Sequence, residues 1–315
     1  MTLYVTRRFG QLIPTVIGIV TMVFLMLRLL PGDPAAFIAG ENVGEEALQA
    51  LREQLGLNKP MLQQYIDYLT SVLRLDFGRS IVSGLPVMQL VSSAMPVTLI
   101  VGIMSLVVGF ILAVPLGTVA AYLASRGRTA LDQGLITTAM FIDTMPSFWV
   151  GLLLMLLLTL QLRWLPATGT LDYNDPMGLA RRLALPVIVL AIGQLATVAR
   201  ITRTSVLEVM NEDYIRTARA LGTSEMAILF KNALPNAALP VVTVAGLSFG
   251  RLLGGTIIVE TIFALPGMGT LLVNGINGRD YTVVQGAVLL YASLFIFVNL
   301  LTDLLYTRVD PRVRL

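Results

Sequence analysis

The chain has no cysteine and no histidine. Those absences remove disulfide frameworks, thiol nucleophiles, imidazole general bases and the common zinc sites. They also remove a Ser–His or H-E-x-x-H protease working inside a membrane. Lysine is nearly absent: Lys59 and Lys231 are the only two. Neither sits in a G-x-x-x-x-G-K-[ST] loop, so the chain carries no P-loop of its own. Charge of either sign is scarce, at 13% of 315 residues, where a soluble domain carries roughly a quarter. A surface this poor in charge cannot face water throughout.

What is present is apolar. Hydrophobic residues make up 56% of the chain, and the mean hydropathy is +0.79. Six apolar runs stand out, at about 9–30, 96–124, 134–160, 185–205, 236–259 and 284–306. Each reaches the ~20 residues needed to cross ~30 Å of hydrocarbon. Backbone groups in lipid must be paired within the segment, so helices are expected. The fold class is therefore all-α integral membrane, with about six transmembrane helices. The first run follows Arg7 and Arg8 and leads into Pro31-Gly32-Asp33-Pro34. It is longer than a signal-peptide core and lacks a small-residue cleavage site, so it reads as a retained span.

Residues 31–95 differ from the rest. They hold acids, Pro and Gly, and two amphipathic stretches. Leu48, Leu51 and Leu55 share one face of the first, and Leu62, Ile66, Leu69 and Leu73 one face of the second. That is the spacing of short surface helices.

The Lys and Arg distribution sets the orientation. One set of connections holds Arg7, Arg8, Arg126, Arg128, Arg200, Arg203, Arg216, Arg219, Lys231, Arg308, Arg312 and Arg314. The other set holds the acid-rich 31–95 loop and the connections at 161–184 and 260–283. Both termini and the 207–235 connection are expected on the cytoplasmic side. The organisation read from this is 1–30 as N-terminus and first span, 31–95 as an external helical loop, 96–307 as a transmembrane core containing the 207–235 loop, and 308–315 as a cytoplasmic tail. The halves differ in loop pattern, which counts against an inverted-repeat secondary transporter. The net charge of +3 is small, and no nucleic-acid partner is expected.

The 207–235 connection carries the most information. In Asn211-Glu212-Asp213-Tyr214-Ile215-Arg216-Thr217-Ala218-Arg219-Ala220-Leu221-Gly222, Asn211 is a candidate cap. Acids lie in the first turn and Arg later, as the helix dipole prefers. Gly222 can stop the helix. Thr223 and Ser224 can start another, which Pro235 is expected to end. Two short helices outside the membrane would then join two spans, and the small Ala218 and Ala220 would fit a groove on another protein. Force applied there would pass to the fourth and fifth spans.

Intramembrane charges are costly and usually functional. Asp143 lies roughly 15 Å into the third run by the helical rise, with Pro146 placed to kink the helix. Arg251 lies in the outer half of the fifth, and Glu260 at its end. Asp143 can attract a cationic or amine-bearing solute or pair with a neighbouring span. Arg251 can read a carboxylate or pair with Asp143 or Glu260. These four residues are the candidate lining of a translocation path. Gly246, Gly250 and Gly254 recur at i+4 and suit close helix approach.

Tyr214-Ile-Arg-Thr-Ala-Arg-Ala-Leu-Gly222, followed by Asn232-Ala-Leu-Pro-Asn-Ala-Ala-Leu-Pro240, resembles the EAA loop of ABC importer permeases, in particular of the dipeptide/oligopeptide permease family. Further motifs agree in the same order: Leu30-Pro-Gly-Asp-Pro34, Leu55-Gly-Leu-Asn-Lys-Pro60, Asp76-Phe-Gly-Arg-Ser80, Pro266-Gly-Met-Gly269, Arg279-Asp-Tyr281 and Asn299-Leu-Leu-Thr-Asp-Leu-Leu-Tyr306. The resemblance covers almost the whole chain. Leu221 and Pro235 depart from it, where relatives often carry Lys and Arg.

The resemblance implies a permease subunit of an ATP-driven importer in a bacterial inner membrane, moving peptides or peptide-like solutes. It implies a second homologous permease, two cytoplasmic ATPase subunits that bind the ATP and Mg, and an external substrate-binding protein. Glu212, Asp213, Tyr214, Thr217, Ala218, Arg219, Ala220 and Gly222 would couple to an ATPase. No cofactor and no metal are expected on this chain, and no enzymatic activity. A secondary transporter or channel accounts for the spans but not for the paired short helices. An intramembrane enzyme has little chemistry left to use.

Overall fold

Apolar segments that must pair their backbone internally form helices here. The computed structural model describes residues 2–28, 35–36, 44–54, 56–169 and 171–309, and their side chains except at 2–9, 11–12, 27–28, 51, 54, 129, 245, 249, 251 and 302–309. Among these residues the elements are α1 Thr2–Arg28, α2 Glu45–Gln54, α3 Met61–Leu73, α4 Val87–Ser125, α5 Thr129–Asp143 and α6 Ser147–Leu154, which continues as a π-helix over Met155–Gln161. Then come α7 Pro176–Met210, α8 Asp213–Ala220, α9 Glu225–Asn236, α10 Ala238–Ile262, α11 Met268–Asn277 and α12 Tyr281–Val309. The described residues contain one isolated β-bridge, Arg79 to Pro86, and no strand.

Among the described residues, three helices are each long and apolar enough to cross a membrane: α4, α7 and the Tyr281–Leu301 part of α12. Two bent pairs bring the number to five, and the apolar stretch Ile13–Met26 of α1 is a shorter sixth segment. The third apolar run departs from the sequence expectation of one kinked helix. It breaks between Asp143 and Ser147 with a bend of 96°, so depth cannot be counted along one axis. Proline explains the break. Pro146 has φ −57° and ψ 133° at the start of α6, and a proline disfavours helical backbone at the residue before it.

The second amphipathic stretch becomes α3, beside α1. Thr21 and Tyr65 share a hydroxyl hydrogen bond of 2.7 Å, and Phe24 meets Tyr65 edge-on at 5.1 Å. The motif Leu30 to Pro34, Leu55 and the tail from 310 lie outside the described residues.

The chain divides into two compact units. One comprises residues 1–97 and 266–297, the other residues 98–265 and 298–315. Two of the boundaries fall inside α4 and inside α12, and the third falls between α10 and α11. In the first unit, Val87, Val91, Ala94, Met268, Val283 and Ala287 form a buried cluster. Gly286 lets the chain close there, since a Cβ on it would lie 2.5 Å from Val87 Cγ1. Two of the sequence motifs meet in this unit. Ser80 donates its hydroxyl to the Asp280 carboxylate, and the Val82 N–H reaches the same oxygen at 3.4 Å. The other Asp280 oxygen accepts the Val283 N–H at 3.2 Å and caps α12. Ser80 and Asp280 are buried, at 4% and 3% exposure, so this clasp replaces water for both.

In the second unit α7 is the central element, packing on α5, α6 and α10. Lipid offers no hydrophobic drive between helices, so close approach at small residues holds them. A Cβ on Gly117 of α4 would lie 2.3 Å from the Ala199 carbonyl oxygen of α7, and one on Gly109 would lie 2.4 Å from Gln194 Nε2. Hydroxyls within these helices turn back to their own backbone: Ser105 to Val101 O at 2.6 Å, Thr118 to Val114 O at 2.7 Å and Thr202 to Val198 O at 2.8 Å. Each satisfies its donor without a second helix.

Candidate functional site

The α7–α10 connection forms two helices meeting at a glycine. Asn211, expected as the cap of the first, instead ends α7, with φ −92° and ψ −5°. Glu212 takes the N-cap position in extended backbone, with no side-chain cap bond. The acids and the Asp213–Arg216 ion pair of 3.2 Å lie exposed on α8. At the other end Gly222 adopts φ +80°. Its N–H bonds Arg219 O at 3.0 Å, and the Thr223 N–H bonds Ala218 O at 3.1 Å. That reciprocal pair is a Schellman stop, and the left-handed residue it needs is a glycine. Ser224 then caps α9, accepting the Ala227 N–H at 3.3 Å.

α9 does not end at Pro235. It passes through π-helical Ile228–Ala233 and reaches Asn236, and the chain bends by 52° into α10. The second short helix is thus the approach ramp of the fifth span. Across the glycine, Arg219 grips Glu225 with Nε to Oε1 at 2.9 Å and Nη2 to Oε2 at 3.4 Å. Asn236 Nδ2 donates to the Tyr214 hydroxyl at 3.2 Å. These bonds join α8 to α9.

α8 has two faces. Ile215 is fully buried. At helical spacing Tyr214, Thr217, Ala218 and Leu221 share another face. Tyr214 is 44% and Leu221 81% exposed; Thr217 is also exposed and Ala218 half-buried. Met226 and Phe230 of α9 are exposed too. Beneath them Leu229, Ala233 and Ala237 pack in one cluster with Ala121 of α4 and Val206 and Met210 of α7. A polar cleft of about 580 Å³ lies beside this, lined by Arg126, Asn211, Arg219 and Glu225 among others.

The expected path residues lie at the end of α5, at the start of α6 and on α10. Asp143 and Pro146 are exposed at the 96° break. Glu260 is fully buried in α10 and accepts the Thr98 hydroxyl at 2.6 Å. The side chain of Arg251 lies outside the described residues. Of the three spaced glycines, Gly254 meets nothing within 4 Å, whereas neighbouring Gly255 lies where a Cβ would be 3.3 Å from Leu190.

Sequence reading missed the ion pair with the most deeply buried carboxylate among the described residues. Asp132 of α5, 1% exposed, accepts two hydrogen bonds from the Arg203 guanidinium of α7. Arg203 entered the reading only as a mark of orientation. An acid in the first turn of a helix and an arginine 71 residues later give no local signal of contact.

The family described as binding-protein-dependent transport system inner membrane component matches residues 113–315. Its N-terminal companion family matches residues 1–102. A Brucella abortus protein named as a peptide transport system permease is 40% identical over 315 residues, covering 100% of this chain and 99% of that one. A Salmonella typhimurium glutathione transport system permease is 40% identical over 311 residues, covering 99% and 98%. Among solved structures, the inward-facing methionine ABC transporter is similar in fold, with a TM-score of 0.59 at 19% identity. It covers 71% of this chain and 97% of that one.

Proposed function

We infer the function from one premise: this chain belongs to the family of binding-protein-dependent transport system inner membrane components. It is a membrane-spanning permease subunit of an ABC importer, a multi-pass protein of the inner membrane. Its family is not itself the ATPase. The family's name points to a transport system with a substrate-binding protein.

The finer reading is ours. The solutes are peptides or peptide-like small molecules, as the names of the 40%-identical relatives suggest. A second, homologous permease completes the path. Two cytoplasmic ATPase subunits bind ATP and Mg, and an external binding protein delivers the solute. Both termini face the cytoplasm. No catalysis takes place on this chain.

The observation that carries this reading is the two-faced α8. Tyr214, Thr217, Ala218 and Leu221 offer a mixed apolar and polar surface to a partner, while Ile215 on another face is fully buried. Glu212, Asp213, Arg219 and Ala220 border the docking face, and Gly222 sets the turn. An ATPase that moves on binding nucleotide displaces α8. The Arg219–Glu225 fork carries the motion into α9, and the cluster around Leu229 and Ala233 carries it into α4 and α7. Packed interiors resist compression and so transmit displacement.

We place Asp143 at the end of α5, across the break from Pro146, where the carboxylate attracts an amine-bearing solute. Asp143→Asn then lowers uptake of such a solute, and unchanged uptake kinetics would remove the role. Glu260 shapes the wall through Thr98, with Arg251 on the same helix.

The test is affinity purification from the native host in mild detergent, with mass spectrometry and an ATPase assay. A second permease and ATPase subunits copurify with the native chain and are lost with Tyr214→Asp and Ala218→Asp. Recovery of this chain alone, still transporting without nucleotide, overturns the reading in favour of a secondary transporter.

A further inference from the structure

α7 is enclosed by its neighbours on most sides. It packs on α5, α6 and α10 and meets α4 at Gly109 and Gly117. From Leu183 to Met210 its exposed residues are Gly193, Arg200, Thr204 and Glu208. With half-buried Thr197 they recur at three and four residues and so share one face. That face holds a glycine, two threonines, an arginine and a glutamate, and none of the large hydrophobic side chains that lipid favours.

α4 provides the contrast. Its exposed side chains include Ile103, Met104, Val107, Ile111 and Val119, which suit hydrocarbon. Gly117 of α4 lies against Ala199 of α7, so the two faces lie at one depth. A charged, hydroxyl-bearing face at that depth is costly in lipid and belongs against a bundle interior or a water-filled cavity. The α7 face opens into such a space. Gly193 and Thr197 line a cavity of about 190 Å³, to which Ser147 of α6 and Ser248 of α10 bring hydroxyls. A Cβ on Gly193 would meet nothing within 4 Å.

Arg200 stands one turn past Thr197, toward α8. Among the described residues its guanidinium makes no ion pair. Arg203, the next turn on, is held by Asp132, so that carboxylate is taken. The Thr204 hydroxyl turns back to Arg200 O at 3.1 Å and not to the guanidinium. Arg200 therefore presents its planar fork outward, and that fork matches a carboxylate through two parallel hydrogen bonds.

We propose that this face of α7 lines the translocation path from the cavity toward α8, and that Arg200 binds the C-terminal carboxylate of the peptide in transit. Every linear peptide carries that group whatever its side chains, so one arginine serves a varied cargo. Its exposure to water keeps the grip weak, and the solute can move on. The proposal rests on the peptide-import reading above and adds a recognition residue on the permease itself.

The chain has no cysteine, so a single substitution gives it a single thiol. The whole importer, with its partner subunits and binding protein, is reconstituted into proteoliposomes. Thr197→Cys and Thr204→Cys are each treated, at rest and during ATP turnover, with an anionic sulfonatoethyl methanethiosulfonate and with its cationic trimethylammonium counterpart. Mass spectrometry follows modification of this chain. Thr197 lies about 20 Å before the end of α7 by the helical rise, too deep for a lipid-facing thiol to react. Both thiols react, and adding Arg200→Gln lowers the anionic-to-cationic rate ratio about tenfold, the scale of one nearby charge acting on two opposite probes. ATP-dependent uptake of alanyl-alanine and trialanine falls about fivefold with Arg200→Gln, the scale of one exposed charge pair. Arg200→Lys, which keeps the charge and loses the fork, recovers part of it. Copurification of the partner subunits confirms assembly of each variant. An unreactive Thr197→Cys in both states overturns the path assignment and leaves the face to lipid or to the second permease. Reactive thiols with an unchanged rate ratio, or with wild-type peptide uptake by Arg200→Gln, overturn the carboxylate site. If wild type imports neither peptide, the peptide-import reading falls and this ligand with it, while the thiols still decide whether the face lines a path.

Discussion

The ion pair between Asp132 and Arg203 yields an asymmetric prediction. The carboxylate is 1% exposed and the guanidinium side chain 28%. Two charges ~4 Å apart attract by on the order of 4 kcal/mol at an effective dielectric of about 20. Burial costs a similar amount, so the intact pair contributes little net stability. Breaking it is another matter. Arg203→Met leaves a carboxylate sealed from water, and the cost is about 3–5 kcal/mol. Asp132→Asn leaves an arginine that can extend its head toward water and keep one hydrogen bond to the amide, so its cost is about 1–2 kcal/mol, the scale of a lost charge-assisted bond. The double variant Asp132→Asn/Arg203→Met recovers part of the larger loss. The assay is unfolding of the purified importer by titrating a denaturing detergent into mild-detergent micelles. Asp132→Asn costing as much as Arg203→Met would refute the reasoning. So would additivity of the two within about 0.5 kcal/mol.

Three further outcomes follow from the geometry. Gly117→Ala drives a Cβ to 2.3 Å from the Ala199 carbonyl oxygen, so α4 and α7 must separate; a loss of about 1–3 kcal/mol is expected in the same titration. Gly222→Ala meets open space at φ +80°, so only backbone strain of about 1 kcal/mol applies; it lowers transport-coupled ATPase activity more than stability, and Gly222→Asn, which tolerates that backbone better, retains more. Ser80→Ala leaves a buried Asp280 oxygen short of its hydroxyl donor and costs about 1–3 kcal/mol, whereas Ser80→Thr keeps the donor and is milder in the same measurement.

How much of this was legible in the sequence varies by element. The spans α4, α7 and α12 followed from apolar length alone, and Gly222 followed from the rule that helices end on a left-handed residue. Asn211 and Glu212 were assigned one position off, because Asn211 is the better cap by residue type and the local sequence does not say where α7 stops. The run 134–160 holds no charge apart from Asp143 and no proline apart from Pro146, so hydropathy read one span where the chain turns through 96°. Pro146 was the available cue, but a proline specifies a break and not its angle. Contacts across the chain were the least legible. Asp76 to Ser80 and Arg279 to Tyr281 were recognised as separate motifs, and nothing in either says that Ser80 and Asp280 bond. Gln194 passed unremarked in a long apolar run, because its hydrogen bond to the Ser105 carbonyl and its fit over Gly109 depend on another helix.

The Ser80–Asp280 clasp also has a consequence in time. Ribosomes deliver the N-terminal side first, and the hydroxyl of Ser80 waits for a partner 200 residues downstream. Until that aspartate arrives, the turn at Ser80 to Val82 must hold its donors on water. Once it arrives, the same carboxylate starts the last helix by taking the Val283 N–H. Completion of the early loop and initiation of the final span are therefore one event, and a nascent chain halted before residue 280 displays an unfinished loop that a quality-control protease can recognise.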